Sequence, residues 1–285
     1  MHDAIRAMIE KRKPQGQADR DRALREVLQE TALAGLWRTG FFDRAAFYGG
    51  TALRLFHGLD RFSEDLDFSL LEPDPAWKFA ERLEGLRAEI EAFGFSVDID
   101  AKHEGKIDSA FIKANTKIHL IRIEALEAIA GNAAPNRLVM VKLETDTDPP
   151  AGIRTEMKIL LEPFPVSVRV AMPPCLFAGK VHACLCRSWK MRVKGRDWYD
   201  FLFFVARGVT VDVAHLEARL RQSGHWRGEK AIEVKDVRRL LEERIAGVDW
   251  RQAAEDVLPF IRDPRSLGMW GAELFRDAVG RMVWG

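Results

Sequence analysis

Hydrophobic and polar positions follow different periods in the two halves of the chain. Before residue 172, apolar residues recur at every second position in several short segments, which is the pattern of half-buried strands. These segments are 46–48, 64–70, 95–100, 109–113, 138–144 and 167–170. Steps of three and four residues predict helices at 3–12, 18–38, 51–57 and 75–93.

The second half of the chain shows only the helical period. After Pro173 and Pro174 we predict no strand, and helices near 174–190, 196–207, 211–222, 234–245, 250–261 and 271–283. Strands followed by a run of helices indicate an α+β fold, with a mixed sheet and an all-helical C-terminal lobe. We therefore predict N-terminal helices at 1–40 that pack on the core, a sheet lobe at 41–172 and a helical lobe at 173–285.

Composition is that of an ordinary globular protein. The 285 residues are 47% hydrophobic and 31% charged, with a net charge of +1. Because the charges balance, composition alone indicates neither nucleic acid nor membrane as a partner. The N-terminal segment is charged and lacks a secretory apolar stretch, and the cysteine count is odd. We therefore expect a reduced, cytoplasmic protein that does not enter a membrane.

Two aspartates stand two residues apart in the predicted strand 64–70. Side chains at i and i+2 of a strand share a face, so Asp65 and Asp67 can converge on one cation while the residues between them face the core. Mg²⁺ prefers carboxylate oxygens and keeps positions for water and phosphate, and Mn²⁺ is an alternative. The spacing alone decides little, because Asp-x-Asp also occurs at 19/21, 98/100 and 146/148. A solvated strand face is the usual interpretation.

A glycine-rich turn upstream gives this aspartate pair a context. Gly49 and Gly50 end the predicted strand 46–48, and Thr51 begins the next helix. Glycines let the backbone approach a phosphate closely, and a helix start offers unpaired N–H groups to an anion. Thr51 is also a good N-cap residue, which is its purely structural interpretation. The turn and the aspartates together predict one pocket for a cation and a polyphosphate.

The same residues resemble the motifs of a known family. Segments 49–55 (GGTALRL), 61–68 (RFSEDLDF) and 180–202 are similar to motifs of the AbiEii/AbiGii toxin nucleotidyltransferases, in the DNA polymerase β-like superfamily. The resemblance implies a transferase lobe, a helical lobe and metal-dependent transfer of a nucleoside monophosphate from a nucleoside triphosphate. It also implies the toxin of a two-gene toxin–antitoxin or abortive-infection system, with a cognate antitoxin as partner. Because some members add nucleotides to tRNA, it implies an RNA acceptor.

Site residues follow from this resemblance position by position. Asp65 and Asp67 would hold the metal, Lys180 would contact the triphosphate, and Asp197 would be a further catalytic carboxylate. Phosphate contacts are assigned to Gly49, Gly50, Thr51, Arg54 and Ser63. Asp200 lies three residues from Asp197 on a predicted helix and is its alternative. Solvent exposure is the competing interpretation of a single helical lysine such as Lys180.

A third carboxylate is expected on a neighbouring strand, as in the superfamily. Lys142 and Glu144 alternate with apolar residues, so Glu144 is our candidate for a third metal ligand or a general base. An ordinary surface Lys/Glu pair on an edge strand is the competing interpretation. Asp98 and Asp100 are alternatives, although we interpret them mainly as the solvated face of an amphipathic strand.

Five basic residues fall within ten positions of one another. They are Arg187, Lys190, Arg192, Lys194 and Arg196. Trp189 and Trp198 stand among or beside them, and positive charge next to aromatic rings suits an RNA strand. A solvated helix face or loop is the commoner interpretation of such a run.

Other activities are alternatives to RNA modification. Nucleotidylation of a small molecule or a protein would use the same pocket, and a catalytically inactive relative could bind RNA or a partner protein. The cysteines and His182 lack the spacing of a zinc site, and we interpret the cysteines as buried thiols. Six of the eight tryptophans lie after residue 188 and are expected to pack the helical lobe.

Overall fold

The computed structural model describes residues 2–100, 116–125, 137–187 and 193–285, with side chains described for 3–95, 141–187 and 193–285. The helices are α1 (His2–Lys11), α2 (Gly16–Arg38), α3 (Gly49–His57), α4 (Ala80–Ala92), α5 (Pro173–Cys186), α6 (Gly195–Ala206), α7 (Val213–Gln222), α8 (Val234–Ala246), α9 (Trp250–Val257) and α10 (Ala272–Gly280). The strands are β1 (Ala45–Tyr48), β2 (Leu66–Leu70), β3 (Ser96–Asp100), β4 (Thr116–Ala125), β5 (Arg137–Asp146), β6 (Thr155–Leu160), β7 (Val166–Ala171), β8 (Thr210–Val211) and β9 (Val283–Trp284).

Seven of the described strands form one mixed sheet in the order β3-β4-β5-β2-β1-β7-β6. β2 pairs in antiparallel fashion with β1 and in parallel with β5, while β1 also pairs in parallel with β7. A largely helical region follows this sheet in the chain. The α+β class predicted from the hydrophobic pattern is therefore confirmed.

One face of the central sheet is covered by helices of the N-terminal half. Leu66 and Phe68 on β2 are fully buried and share a hydrophobic core with Leu28 of α2 and Leu86 of α4. Asp67, between them on β2, is only partly buried, because alternate residues of a strand face opposite sides. The opposite face of the sheet is therefore the one that can carry a polar site.

A second hydrophobic core occupies the helical half of the chain. Trp198 is fully buried in it, and Trp250 stacks on Phe275 with ring centroids 4.1 Å apart. The other tryptophans described after residue 193 also pack against this core, as predicted. The first core ends at Val170, and apart from Leu53 and Leu59 the buried members of the second begin at Ala171. This separation supports the predicted boundary near 173, and the three-part division stays a prediction.

Several element boundaries differ from the prediction. α4 begins at Ala80 and not near 75, because Asp74 accepts a hydrogen bond from the Ala76 N–H and forms a turn there. β4 and β6 were not predicted; in β6 the apolar Met157 and Ile159 are exposed, so its pattern does not mark a buried face.

The helical half is also not purely helical. β8 and β9 form a two-stranded parallel sheet there, and two residues per strand are too few to leave a periodic pattern. The predicted strand 109–113 lies outside the described residues. None of the described helices is both long and apolar enough to span a lipid bilayer.

Candidate active site

Three carboxylates lie near one another where β1, β2 and β5 run side by side. In the strand register, Asp67 lies opposite Tyr48 on β1 and opposite Glu144 on β5. Asp65 immediately precedes β2, so strand pairing does not hold it. Thr51 does so instead, because its hydroxyl donates a 2.5 Å hydrogen bond to the Asp65 carbonyl. We call Asp65, Asp67 and Glu144 the acidic wall.

The acidic wall holds more negative charge than its surroundings neutralise. Burial raises the pKa of Asp67 to about 8, and repulsion from Glu144 and Asp65 adds to the shift. Burial also raises the pKa of Asp65, with Glu144 as the next cause. Glu144 itself is ion-paired with Lys142. Such a cluster favours any cation that can approach it.

The chemistry of the acidic wall fits a divalent cation. Its ligands would be hard carboxylate oxygens, which Mg²⁺ and Mn²⁺ prefer. After burial, repulsion from Glu144 is the next cause that raises the pKa of Asp65 and Asp67, and a bound cation would reduce that repulsion. Within the described parts of the chain, no three acidic, histidine or cysteine side chains already converge closely enough to hold an ion.

The glycine turn is packed against the acidic wall. Gly49 has a φ of 82°, and a Cβ placed on it would lie 2.1 Å from Oδ2 of Asp67. A Cβ on Gly50 would lie 2.6 Å from Oγ of Ser63 and 2.7 Å from Nη2 of Arg61. Both positions therefore need glycine because side chains approach the backbone there. α3 begins at Gly49, so its positive N-terminal end lies beside the Asp67 carboxylate.

A second set of charged residues links α5, α6 and the loop before β2. We call it the paired network, and its members are Arg61, Lys180, Arg187, Asp197 and Asp200. Nζ of Lys180 lies 2.7 Å from Asp200 and 3.3 Å from Asp197. Arg61 donates from Nε and Nη2 to the two oxygens of Asp200 at 2.6 and 2.7 Å, and Arg187 donates to Asp197 at 2.8 Å.

In the paired network, three cations surround two carboxylates, and each carboxylate is ion-paired with two of the cations. Burial acts to raise the pKa of Asp197, but Arg187 and Lys180 outweigh it and lower the pKa to about 2. Burial opposes ionisation of Asp200 as well, and Arg61 and Lys180 lower its pKa. The side chain of Lys180 is only 15% exposed, so its interpretation as a solvent-exposed lysine is wrong. Asp197 and Asp200 share one helix face, as their spacing predicted.

A cavity of about 200 Å³ lies between the acidic wall and the paired network. Asp67 and Glu144 line it on the sheet side, and Lys180, Arg187 and Asp197 line it on the helical side. Asp65 is not among the lining residues, and neither is Asp200, which is fully buried and ion-paired with Lys180. This placement supports Asp197 over Asp200 as the residue that meets a ligand.

Two of the residues assigned to phosphate have other partners. Thr51 is fully buried and its hydroxyl is bonded to the Asp65 carbonyl, so its side chain is not placed to contact phosphate. It is not the N-cap either, since α3 begins two residues earlier with Tyr48 in that position. Arg54 bonds Glu26 of α2 at 2.8 Å and the carbonyls of Leu59 and Asp60, so it joins structural elements and does not line the cavity.

The third-carboxylate candidates are separated by their strands. β5 is an interior strand of the sheet, so the interpretation of Glu144 as part of an edge-strand surface pair is wrong. Asp98 and Asp100 lie on β3, three strands from Asp67. At about 4.8 Å per strand, that is roughly 14 Å away. Glu144, which is in register with Asp67, is the candidate that the sheet favours.

The basic run does not form one RNA-binding surface in the described residues. Arg187 belongs to the paired network, and Arg196 packs 4.1 Å over the ring of Phe260. Lys194 is half-buried at the N-cap of α6. Trp198 is fully buried and has no face for a base. Lys190, Arg192 and Trp189 lie outside the described residues.

Several cavity and network residues were not anticipated from the sequence. Arg61 stood inside the quoted 61–68 motif, but nothing in the pattern indicated its partner Asp200. Tyr48, Asp146, His215 and Arg219 also line the cavity. The spacing of four residues between His215 and Arg219 places them on one helix face, which is the only sequence signal they carry. The three cysteines are buried free thiols, as predicted.

The chain is similar to a family model and to solved structures. The family model described as "Nucleotidyl transferase AbiEii toxin, Type IV TA system" matches residues 31–280. No curated protein is significantly similar in sequence. JHP933 from Helicobacter pylori is 20% identical with a TM-score of 0.50, over 94% of this chain and 95% of that one. A candidate nucleotidyltransferase from H. pylori is 20% identical with a TM-score of 0.45, over 89% and 94%.

The similarity to JHP933 shows the fold, and the family match defines the membership. That match extends from within α2 to the end of α10 and includes both the acidic wall and the paired network. The chain therefore belongs to the AbiEii toxin family of type IV toxin–antitoxin systems and is a nucleotidyltransferase.

Proposed function

We propose that the protein transfers a nucleoside monophosphate from a nucleoside triphosphate to an RNA hydroxyl, with tRNA as acceptor and Mg²⁺ or Mn²⁺ as the required cation. The toxin would be restrained by a cognate antitoxin. The observation that carries the chemistry is one cavity in which Asp67 and Glu144 of the acidic wall lie opposite Lys180 and Arg187 of the paired network. Negative oxygens on one side and positive side chains on the other suit a metal-bound polyphosphate.

The residues of this chain divide the work. Asp65 and Asp67 would hold the cation, and Glu144 would either join them or accept the proton of the attacking hydroxyl. When bound, the cation neutralises charge on the triphosphate as pyrophosphate leaves. Lys180 and Arg187 would contact phosphate oxygens from the helical side, with Asp197 holding both in position.

The N-terminal turn of α3 is the second phosphate contact that we propose. Gly49 lines the cavity, and the backbone N–H groups at the start of α3 lack helical partners. The Ser63 hydroxyl lies against Gly50, beside the same turn. Contact with phosphate would thus come first from Gly49, which lines the cavity. Gly50 and Ser63, which like Thr51 and Arg54 are not among the lining residues, would support the turn.

The acceptor is the part of the proposal that geometry supports least directly. Its support is the resemblance to a family in which some members add nucleotides to tRNA. Arg187 contacts Asp197 and Arg196 packs on Phe260, so these two residues do not support an RNA-binding surface. Transfer to a protein or a small molecule therefore remains the alternative that an experiment has to separate.

The experiment incubates purified protein with Mg²⁺, each labelled nucleoside triphosphate in turn, and total tRNA. We expect label in RNA, and a decrease of at least about 10³-fold in Asp65→Asn/Asp67→Asn, because the residues that hold the cation are gone. The matched control is Glu242→Gln/Glu243→Gln, which removes two exposed carboxylates from α8 and should leave transfer unchanged.

Each result separates the hypotheses. Label in protein, or in an added small molecule, would replace the RNA acceptor and keep the transferase. No label in any acceptor, with triphosphate binding intact in both the wild type and the Asp65/Asp67 variant, would indicate a binding protein and overturn the proposed reaction.

A further inference from the structure

A third basic residue lines the cavity besides Lys180 and Arg187. Arg219, on α7, is half-buried, and its guanidinium lies against Gly179, where a Cβ would be 3.7 Å from the guanidinium carbon. Gly179 directly precedes Lys180 on α5. Arg219 and Lys180 therefore present neighbouring positive charges to the same cavity.

His215 fixes the position of this guanidinium. Nδ1 of His215 lies 2.9 Å from the Ala151 carbonyl, which can only accept, so Nδ1 carries the proton. Nε2 is then free to accept, and it takes a 3.0 Å hydrogen bond from Nε of Arg219. Burial, followed by the charge of Arg219, lowers the pKa of His215 to about 4. A neutral histidine thus holds the arginine without cancelling its charge.

This is what distinguishes Arg219 from the other two cations. Lys180 and Arg187 are both paired with Asp197, and Lys180 with Asp200 as well. Arg219 forms no ion pair with any residue whose side chain the structure describes, and its only side-chain hydrogen bond there uses Nε. Among these residues its two terminal nitrogens have no partner, so they can meet a ligand, and a guanidinium binds phosphate oxygens in a planar, forked geometry.

We propose that Arg219 binds the terminal phosphates of the nucleoside triphosphate and that His215 is the residue that positions it. This inference rests on the proposed function, because it assigns a contact to the same substrate. Arg219 stands with Lys180 on the helical side, opposite the carboxylates that would hold the cation. The triphosphate would thus be held between a metal-bound end and an unpaired guanidinium.

The test measures equilibrium binding, which does not require transfer. Labelled nucleoside triphosphate, inorganic tripolyphosphate and the corresponding nucleoside are titrated in Mg²⁺ against the wild type and Arg219→Gln. We expect the affinity for the triphosphate and for tripolyphosphate to fall by about 10- to 100-fold, the effect of losing a charge-assisted hydrogen bond. Affinity for the nucleoside should not change. Arg251→Gln, a 90% exposed arginine on α9, is the matched control.

Two histidine variants test the positioning role. His215→Gln keeps an acceptor oxygen for Arg219 and should retain most of the wild-type affinity for triphosphate. His215→Phe keeps a ring without an acceptor, and its affinity for triphosphate should fall by about 5- to 10-fold. In a steady-state assay these losses should appear in KM more than in kcat. Thermal unfolding of each variant shows whether it is folded, and Arg219→Gln, which removes no buried ion pair, remains the decisive variant.

The outcomes keep this inference distinct from the proposed function. Equal triphosphate affinity in the wild type and Arg219→Gln overturns the role of Arg219, even if transfer is observed. A wild type that binds triphosphate but transfers nothing overturns the reaction, while a loss in Arg219→Gln still supports the contact. A parallel loss of nucleoside affinity would show that Arg219 meets the base or sugar, and would also overturn the assignment to phosphate.

Discussion

Residues of the acidic wall and of the paired network line one cavity, and the pKa values of their carboxylates are shifted in opposite directions. In the acidic wall, burial and repulsion raise the pKa of Asp67 to about 8. In the paired network, burial is outweighed by Arg187 and Lys180, and the pKa of Asp197 falls to about 2. Burial acts to raise the carboxylate pKa in both places, so the opposite shifts come from the cations that already pair with Asp197.

The acidic wall is therefore a site that a cation would complete, whereas the carboxylates of the paired network already have cations as partners. Lys180 and Arg187 are fixed by carboxylates before any substrate arrives, so little reorganisation is needed when phosphate binds. The carboxylates of the acidic wall repel one another, and a bound cation would relieve this repulsion. The two regions should therefore respond differently to mutation, to pH and to metal.

The largest effect is expected from breaking the paired network at its most buried member. Asp200 has no exposed side-chain surface and accepts hydrogen bonds from Nε and Nη2 of Arg61, whose Nη1 donates to the Phe62 carbonyl. Asp200→Asn would leave Arg61 without its counter-charge in the interior, and we expect the free energy of unfolding to fall by about 3–5 kcal/mol. Urea denaturation measures this.

The matched control is a surface ion pair of the same type. Glu243→Gln breaks the exposed pair with Arg239 on α8 and should cost no more than about 0.5 kcal/mol. If Asp200→Asn cost as little as Glu243→Gln, the paired network would not be the rigid element described above. Arg61→Met/Asp200→Leu, which removes both charges, should be less destabilising than Asp200→Asn.

How far the sequence predicts these two regions depends on the distance between partners. Asp67 and Glu144 could be placed from strand alternation, because they stand in register on neighbouring strands, whereas Asp65 immediately precedes β2 and is held by Thr51. Arg61 and Asp200 are 139 residues apart, and no local pattern links them. Ion pairs across that separation follow from tertiary packing alone.

Arg187 and Thr51 show the same limit, because their partners in the fold are not visible in the sequence pattern. Arg187 was grouped with a basic run because charge density is visible in sequence, while its partner Asp197 is not. The sequence indicates a phosphate contact for Thr51, with an N-cap as its structural alternative, but the helix starts at Gly49 and the hydroxyl bonds the Asp65 carbonyl. Residue type predicts which positions a residue prefers, whereas the groups that surround it in the fold decide its role.

A smaller effect should appear when pH is changed without mutation. Asp67 binds its proton more tightly when folded than when unfolded, since burial and Glu144 raise its pKa to about 8. Between pH 4 and 8 the folded state therefore holds more protons, and stability should fall as pH rises, by on the order of 1–3 kcal/mol. Asp197, whose pKa burial opposes but Arg187 and Lys180 lower, contributes the reverse slope only between pH 2 and 4.

The contribution of Asp67 is isolated by difference. Urea denaturation across pH 4 to 8 is compared for the wild type and Asp67→Asn, because Glu30, whose pKa burial raises to about 7, adds a slope of the same sign. Without metal, the wild type should become less stable relative to Asp67→Asn as pH rises. This difference in stability should be smaller in Mg²⁺, since the cation competes with the proton. A difference that is independent of both pH and Mg²⁺ would contradict the contrast between the two regions.

The smallest effect tests how Asp65 is held in the acidic wall. Thr51→Val keeps the shape of the side chain but removes the hydrogen bond to the Asp65 carbonyl, and we expect a loss of about 1 kcal/mol of stability. Thr31→Val is the matched control, because Thr31 is also fully buried and donates to a backbone carbonyl, that of Val27, at 2.9 Å. Cation affinity, measured by calorimetry with Mn²⁺, should fall several-fold in Thr51→Val alone, since only there does a carboxylate of the acidic wall lose its support. Equal cation affinity in the two variants would mean that strand pairing at Leu66 is sufficient to place Asp65.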